Sequence, residues 1–350
     1  MRSGMFLKKE EKLKRCTFCI MPETAIGIKY DENGSCQLCR DFKKYSSKGE
    51  QELQIKIKNY VKKDEKYNCI VPVSGGRDSS YALYYSKEIL GLSPIAVHNN
   101  NDFETEIAVK NLENITKSLD VPLVRISSSN QISKKIVAEK FKINAPFGPE
   151  LVVEQTCEAC KYGFEAASYN TARRKGIQLI IWGDSTYEST TPYHALQNHM
   201  TPPKWKRLLS SGVFNLFKYK YYFRKMKNEY GPNSPEGLKE IHLYDYIEWD
   251  RKVIVDTIQK KTGWTKPQES ITSWRIDCSL VPLVNHLYKK AYGVSKIEVG
   301  FSNMIRSGKM DRNDALSQIK EIENAVDISK LERLLKELNI SSSHIIKVLY

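Results

Sequence analysis

The chain has 350 residues, of which 41% are hydrophobic, 10% aromatic and 27% charged, with a formal net charge of +14. At roughly 150 residues per domain this suggests about two domains, and the composition excludes collagen-like, coiled-coil and disordered chains. No apolar run approaches the roughly 20 residues of a membrane helix, and the positive charge favours anionic partners such as phosphates, nucleotides or nucleic acid.

From Met1 to Lys14 there is no apolar h-region or small-residue cleavage site, so no secretory signal is expected and a cytoplasmic location follows. Six of the eight cysteines fall in three CxxC pairs, which in a cytosolic chain indicates metal rather than disulfides. Cys16-x-x-Cys19, sixteen residues, then Cys36-x-x-Cys39 fits a four-thiolate zinc site built from two knuckles. Left unligated, four thiols on such turns would invite oxidation. Residues 1–50 therefore read as a small zinc-ribbon-like module.

Between 67 and 190 short apolar segments alternate with amphipathic ones, which predicts a parallel sheet covered by helices. Strands are expected at 69–73, 94–98, 121–127 and 177–182, and helices at 79–90, 104–119, 130–141 and 158–175. Between the first strand and helix lies Ser74-Gly75-Gly76-Arg77-Asp78-Ser79-Ser80. The glycines let backbone approach an anion, and helix N–H groups with the serine hydroxyls can bind phosphate oxygens. A carboxylate in such a nest makes sense if Asp78 holds a hydrated Mg²⁺; the plainer alternative is a turn capped by Asp78 or Ser79. The loop lacks the Gly-Lys-[Ser/Thr] ending of a Walker A motif and is not Gly-x-Gly-x-x-Gly. Cys157 and Cys160 lie at a helix start, with Cys278 far downstream; packed thiols, a redox pair and a metal site are all consistent with that spacing.

Residues 204–227 interleave eight basic residues with aromatics and contain no acid. Aromatics packed on a core, with the cations docking a partner or substrate, are favoured over nucleic-acid binding. The remainder reads as mostly helical, with helix starts at Asp311 and Asp327. The division expected is a zinc-binding module over 1–50, an α/β domain carrying the phosphate loop over 51–200, and a helical region over 201–350 completing the substrate site.

Ser74-Gly75-Gly76-Arg77-Asp78-Ser79 resembles the PP-loop, SGGxDS, of the N-type ATP pyrophosphatases, which cut ATP between its α and β phosphates and adenylate a carbonyl oxygen. The resemblance implies a PP-loop fold with ATP and Mg²⁺ bound by Ser74, Gly75, Gly76, Arg77, Asp78, Ser79 and Ser80. It also implies adenine against the strand end around Val97 and His98, although His98 reads foremost as a surface histidine. The loop Trp182–Glu188, with Gly183, Asp184 and Glu188, would approach the α-phosphate. Asp78, Arg77 and Asp184 are then the catalytic candidates, and Asp78→Ala is expected to abolish ATP cleavage while leaving the fold intact.

Together with Cys16–Thr24, Asp31–Cys39 and Arg306–Leu316, this loop is similar to the N-acetyl sugar amidotransferase family of O-antigen and nonulosonic-acid biosynthesis. That family converts a sugar acetamido group to acetamidino with ATP and ammonia. Neither familiar glutaminase nucleophile is recognisable in the chain, and the resemblance implies a separate glutaminase and a barrel subunit like those of imidazole glycerol phosphate synthase. Cys157, Cys160 and Cys278 resemble the three-cysteine iron–sulfur ligation of PP-loop tRNA thiolases, which makes tRNA 2-thiolation the alternative activity. A zinc-dependent adaptor that binds nucleotide without chemistry is the third, non-enzymatic reading.

Overall fold

The computed structural model describes residues 13–61, 65–127, 129–188, 213–230, 236–268, 270 and 272–350. Five strands, β1 (Cys69–Pro72), β2 (Pro94–Asn100), β3 (Leu123–Ser127), β4 (Leu179–Trp182) and β5 (Lys239–His242), form one sheet in the order β3-β2-β1-β4-β5. Every pairing is parallel. Such sheets are covered on both faces, which is why β1 and β4 are apolar without interruption and buried along their whole length. Successive side chains part to opposite faces. Cys69, Val71, Leu179 and Ile181 join the core that includes the C-terminal helices, while Ile70, Ile180 and Trp182 face Ala166, Ala167 and Met226.

The predicted elements are present with boundaries moved by a few residues. The helix Arg77–Tyr84 passes into a wider π-type turn, Tyr85–Ile89, and the helix Glu106–Ser118 is capped by Thr105. The helix Glu158–Lys175 falls on its expected range. Asp311 and Asp327 cap Arg312–Asn324 and Ile328–Glu337 by accepting backbone N–H groups. The fifth strand arises in the region read as mostly helical: in Lys239-Glu240-Ile241-His242 only Ile241 is buried, too weak a pattern to announce a strand.

The chain returns from β3 to add β4 on the far side of β1, so the switch point lies between β1 and β4. At such a point the loops leaving the carboxyl ends of the strands diverge and open a crevice for ligand. The N-terminal cysteine module sits on the C-terminal helices: Ile26 N–H donates to Tyr292 O (2.9 Å), and Arg312 donates to the carbonyls of Cys16 and Cys19 (both 3.0 Å). Of the basic aromatic stretch, residues 204–212 lie outside the described residues. The rest belongs to the helix Val213–Tyr230, whose Tyr219, Tyr222, Phe223 and Met226 pack inward while Lys140 lies over the Tyr219 ring. Among the described residues no helix is long and apolar enough to cross a membrane.

Candidate active site

The loop after β1 folds on itself before the helix Arg77–Tyr84. Ser79 Oγ accepts from Ser74 N–H (3.2 Å), and the two hydroxyls are 3.2 Å apart. Gly75 has a φ of +79°, and a Cβ there would lie 2.3 Å from the Ala108 carbonyl oxygen, so only glycine fits. Its carbonyl is held by Trp264 Nε1 (3.0 Å) and Asn111 Nδ2 (3.3 Å), both from side chains with buried rings or amides. A Cβ on Gly76 would lie 3.2 Å from Asp277 Oδ2, which places a second carboxylate over the loop. Ser80, expected to reach phosphate, has its side chain wholly buried.

Asp78 is the hub of a buried network. Arg77 donates from Nε to Oδ1 (3.1 Å) and from Nη2 to Oδ2 (2.8 Å), and Trp249 Nε1 donates to Oδ1 (2.9 Å). These three bonds occupy most of the roughly four lone-pair positions of a carboxylate and leave one on Oδ2. Arg77, expected on the phosphates, is 4% exposed, and its guanidinium also donates to Ser273 Oγ (3.1 Å) and lies over the Trp249 ring. Its position is that of a brace behind Asp78. Tyr244 O–H completes the arrangement by donating to the Asp78 carbonyl (3.0 Å).

Across the switch point, Gly183 packs directly on this helix start: a Cβ there would lie 2.8 Å from Ser79 Cα and 3.0 Å from Asp78 O. Asp184 follows, exposed, with His242 Nδ1 2.7 Å from its Oδ1. Tyr187 stacks on Trp249 at 5.5 Å, and Asn303 donates to the carbonyls of Thr186 and Tyr187, fixing the turn against the C-terminal helices. The Glu188 side chain lies outside the described residues.

β2 continues to Asn100, so Val97 and His98 lie within the strand, and the Val97 carbonyl accepts Val73 N–H (2.8 Å). His98 is not the surface histidine the sequence suggests; it is buried, with Nδ1 2.9 Å from the Val73 carbonyl and Nε2 2.5 Å from Glu104 Oε2. A carbonyl only accepts, so Nδ1 carries a proton, and hydrogen bonding from His98 holds the Glu104 carboxyl below its ordinary value.

The four N-terminal thiols form a cage, with all four sulfurs within 4.8 Å of one another. Cys16 and Cys39 are 3.8 Å apart and Cys19 and Cys36 3.7 Å, close to the ~3.8 Å that tetrahedral bonds of 2.3 Å would set. Backbone N–H groups of Cys19 and Cys36 point at Cys16 Sγ, and Arg306 Nη1 reaches Cys19 Sγ (3.7 Å).

Cys160 feels the charges of Cys157 and Cys278, and Cys278 forms an antiparallel backbone bridge with Glu104, just beyond β2. Burial pushes the Cys160 thiol up, reinforced by Cys157 and Cys278; burial raises Cys278 to about 11, with Leu280 N–H and Arg275 opposing. Among the described residues only the N-terminal four thiols close to metal-ligand range; Cys157, Cys160 and Cys278 do not. The sequence offered no sign of Trp249, Trp264, Ser273, Asp277 or His242 in the site. Each comes from the far C-terminal side of the chain, and none sits in a local motif.

Residues 268–349 match the family described as "LPS biosynthesis protein WbpG-like, C-terminal domain". Uncharacterized protein MJ1599 of Methanocaldococcus jannaschii is 32% identical over 204 residues, which cover 57% of this chain and 68% of that protein. MJ1016 of the same organism is 27% identical over 139 residues, 39% of this chain and 42% of its own length. Among solved structures, the U34-tRNA thiolase NcsA from Methanococcus maripaludis, with its 4Fe-4S cluster, aligns over 86% of this chain and 90% of its own at 14% identity and a TM-score of 0.37. The match to MJ1599 shows that the chain belongs to that protein's family, and residues 268–349 carry the WbpG-like C-terminal domain.

Proposed function

We propose that the chain is an ATP-dependent amidotransferase that converts a sugar acetamido group to an acetamidino group in surface-polysaccharide biosynthesis. The reading rests on the SGGxDS loop facing the Gly183–Tyr187 turn across the switch point, in a chain whose residues 268–349 match a domain described by LPS biosynthesis. Ser74, Gly75, Gly76 and Ser79 supply N–H and O–H donors for the pyrophosphate of ATP. Asp78 Oδ2 and Asp277 are the carboxylates that would hold a Mg²⁺, which would supply positive charge against the phosphates. The acetamido oxygen attacks the α-phosphorus, pyrophosphate leaves, and ammonia displaces AMP. Positioning and charge stabilisation supply most of the catalysis.

The four-thiol cage suits zinc, which would close the site and stabilise the fold rather than take part in chemistry. Cys157, Cys160 and Cys278 offer three thiolates to an iron–sulfur cluster, which would supply an open iron position. Elemental analysis of anaerobically purified protein is expected to find one zinc per chain, lost in Cys36→Ser, and iron that Cys278→Ser removes. Zinc-free protein with four titratable N-terminal thiols, or iron-free protein of full activity, would refute the respective assignment.

Ammonia comes from a glutaminase partner, with a barrel subunit like that of imidazole glycerol phosphate synthase as its companion. The helix Val213–Tyr230 provides a docking stripe, since Phe217 and Tyr221 are 65% and 62% exposed and alternate with exposed Lys220 and Arg224.

The test supplies ATP, UDP-linked acetamido sugars and ammonium, and follows AMP, pyrophosphate and the mass change for replacement of oxygen by NH. Free ammonium is expected to support turnover by the isolated chain, and glutamine only with the partner added. ADP and phosphate as stoichiometric products would rule the reading out. The influence of Cys157 and Cys278 on Cys160 favours tRNA 2-thiolation as the second reading, which gains the field if tRNA acquires sulfur while no sugar is amidinated.

A further inference from the structure

The turn after β4 and the end of β5 place a second acid–base pair on the ligand edge of the sheet. Parallel register sets Trp182 beside His242, so Asp184 meets the last residue of β5. Asp184 Oδ1 lies 2.7 Å from His242 Nδ1. A carboxylate only accepts, so Nδ1 carries the proton, and Nε2 of the neutral ring is left as the basic nitrogen. Both side chains remain open, 65% for Asp184 and 48% for His242. His98 on the same edge differs: it is buried with both ring nitrogens engaged. Gly183 fastens the pair to the PP-loop, because its Cα packs on the backbone of Asp78 and Ser79.

We infer that His242 is the general base of the nitrogen-transfer step, with Asp184 fixing its tautomer and orientation. The inference rests on the amidotransfer reading above. After adenylation the acetamido carbon carries AMP on its oxygen and a protonated nitrogen. The lone pair of ammonia forms the new C–N bond, and His242 Nε2 takes one of the three protons from the resulting ammonium. Collapse then breaks the C–O bond, the electron pair leaves on the AMP oxygen, and an amidinium remains. His242 later releases its proton to water, so protons and electrons balance with no further reactant.

The charged groups facing His242 are acidic: Asp184 from the turn, Asp245 from the segment after β5, and Glu240 from β5 itself. Asp245 is in turn bonded by Lys48 and Tyr45, and Glu240 by Trp182 Nε1. Hydrogen bonding to Asp184 raises the His242 pKa above the ordinary histidine value, against the opposing effect of burial. A base must be neutral to act, so amidine formation should fall as pH drops through that raised value. Removing the Asp184 charge should move this acid limb to lower pH.

The test uses the full chain with UDP-linked acetamido sugars, ATP and ammonium chloride, and reads two half-reactions. Sugar-dependent exchange of labelled pyrophosphate into ATP reports adenylation, and mass spectrometry reports the amidine. His242→Gln is expected to lower amidine formation about 10²-fold while exchange persists. His242→Ala should be rescued by added imidazole, and Asp184→Asn should shift the acid limb downward. Amidine formation with a wild-type rate and pH profile in His242→Gln would overturn the inference, as would exchange and amidine formation lost in parallel without imidazole rescue. Wild-type protein showing no sugar-dependent exchange would instead overturn the amidotransfer reading, and the inference with it.

Discussion

Asp78→Ala is expected to abolish AMP and pyrophosphate formation, by about 10³-fold or more, and also to lower stability by roughly 3 kcal/mol. The second effect departs from the expectation, drawn from sequence, that the fold would be untouched. Asp78 is not a free ligand waiting on a loop. Its carboxylate takes two bonds from Arg77 and one from Trp249, at 2.8–3.1 Å, while both partners are buried. Deleting it strips two charge-assisted bonds from a guanidinium that is 4% exposed and orphans the indole N–H of a fully buried tryptophan. Asp78→Asn keeps the shape and one acceptor oxygen but turns an amide N–H toward an Arg77 donor, so its stability should fall between the other two. Urea denaturation of the three proteins, paired with AMP release, checks both halves. Wild-type stability in Asp78→Ala would remove the carboxylate from its place at the hub, and undiminished AMP release would remove it from the chemistry.

What the sequence revealed was whatever is written locally. The SGGxDS loop, each CxxC knuckle and the caps at Asp311 and Asp327 depend on residues within a few positions of one another, and the regular spacing of the two knuckles announces the cage they close across 17 to 23 positions. The strands were legible where both faces are buried, since Ile70, Val71 and Leu179–Ile181 are apolar without a break. β5 was not, because it shows a single buried residue among charged ones. The supports of the PP-loop were equally silent. Trp249, Trp264 and Ser273 lie 171 to 196 positions from the residues they hold, and no periodicity records such a distance. His98 was misjudged for a related reason: its neighbours Val73 and Glu104 bury it, and one belongs to a different strand-end loop. Arg77 shows the limit of motif reading most directly. Its charge suited a phosphate, but its short path to Asp78 and to Ser273 turned it inward.

The second large effect lies at the joint between the cysteine module and the C-terminal helices. Glu298 is 1% exposed, and both carboxylate oxygens are committed. Oε2 accepts from Ser295 N–H (2.7 Å) and Ser295 O–H (2.8 Å), closing a capping box on the helix Lys296–Arg306, and Oε1 accepts from Arg15 Nη1 (2.7 Å). One carboxylate therefore starts the helix that carries Asn303 and Arg306 and, through Arg15, anchors the chain just before the first knuckle cysteine. Glu298→Ala keeps the Ser295 Oγ cap on the residue 298 N–H but removes the reciprocal half of the capping box, and among the described residues it leaves Arg15 with its bond to the Ile20 carbonyl, a change expected to cost about 3–5 kcal/mol. Glu298→Gln retains the capping acceptor and loses the charge, so a smaller cost of roughly 1–2 kcal/mol is expected. Because Arg306 and Arg312 reach the cysteines from this same helical unit, loosening it should also expose the cage. Zinc should then pass to a competing chelator faster in the alanine variant than in the glutamine variant, and slowest in wild type. If Glu298→Ala unfolds at the wild-type denaturant concentration and surrenders zinc no faster, then the cysteine module stands independently of the helices on which it rests.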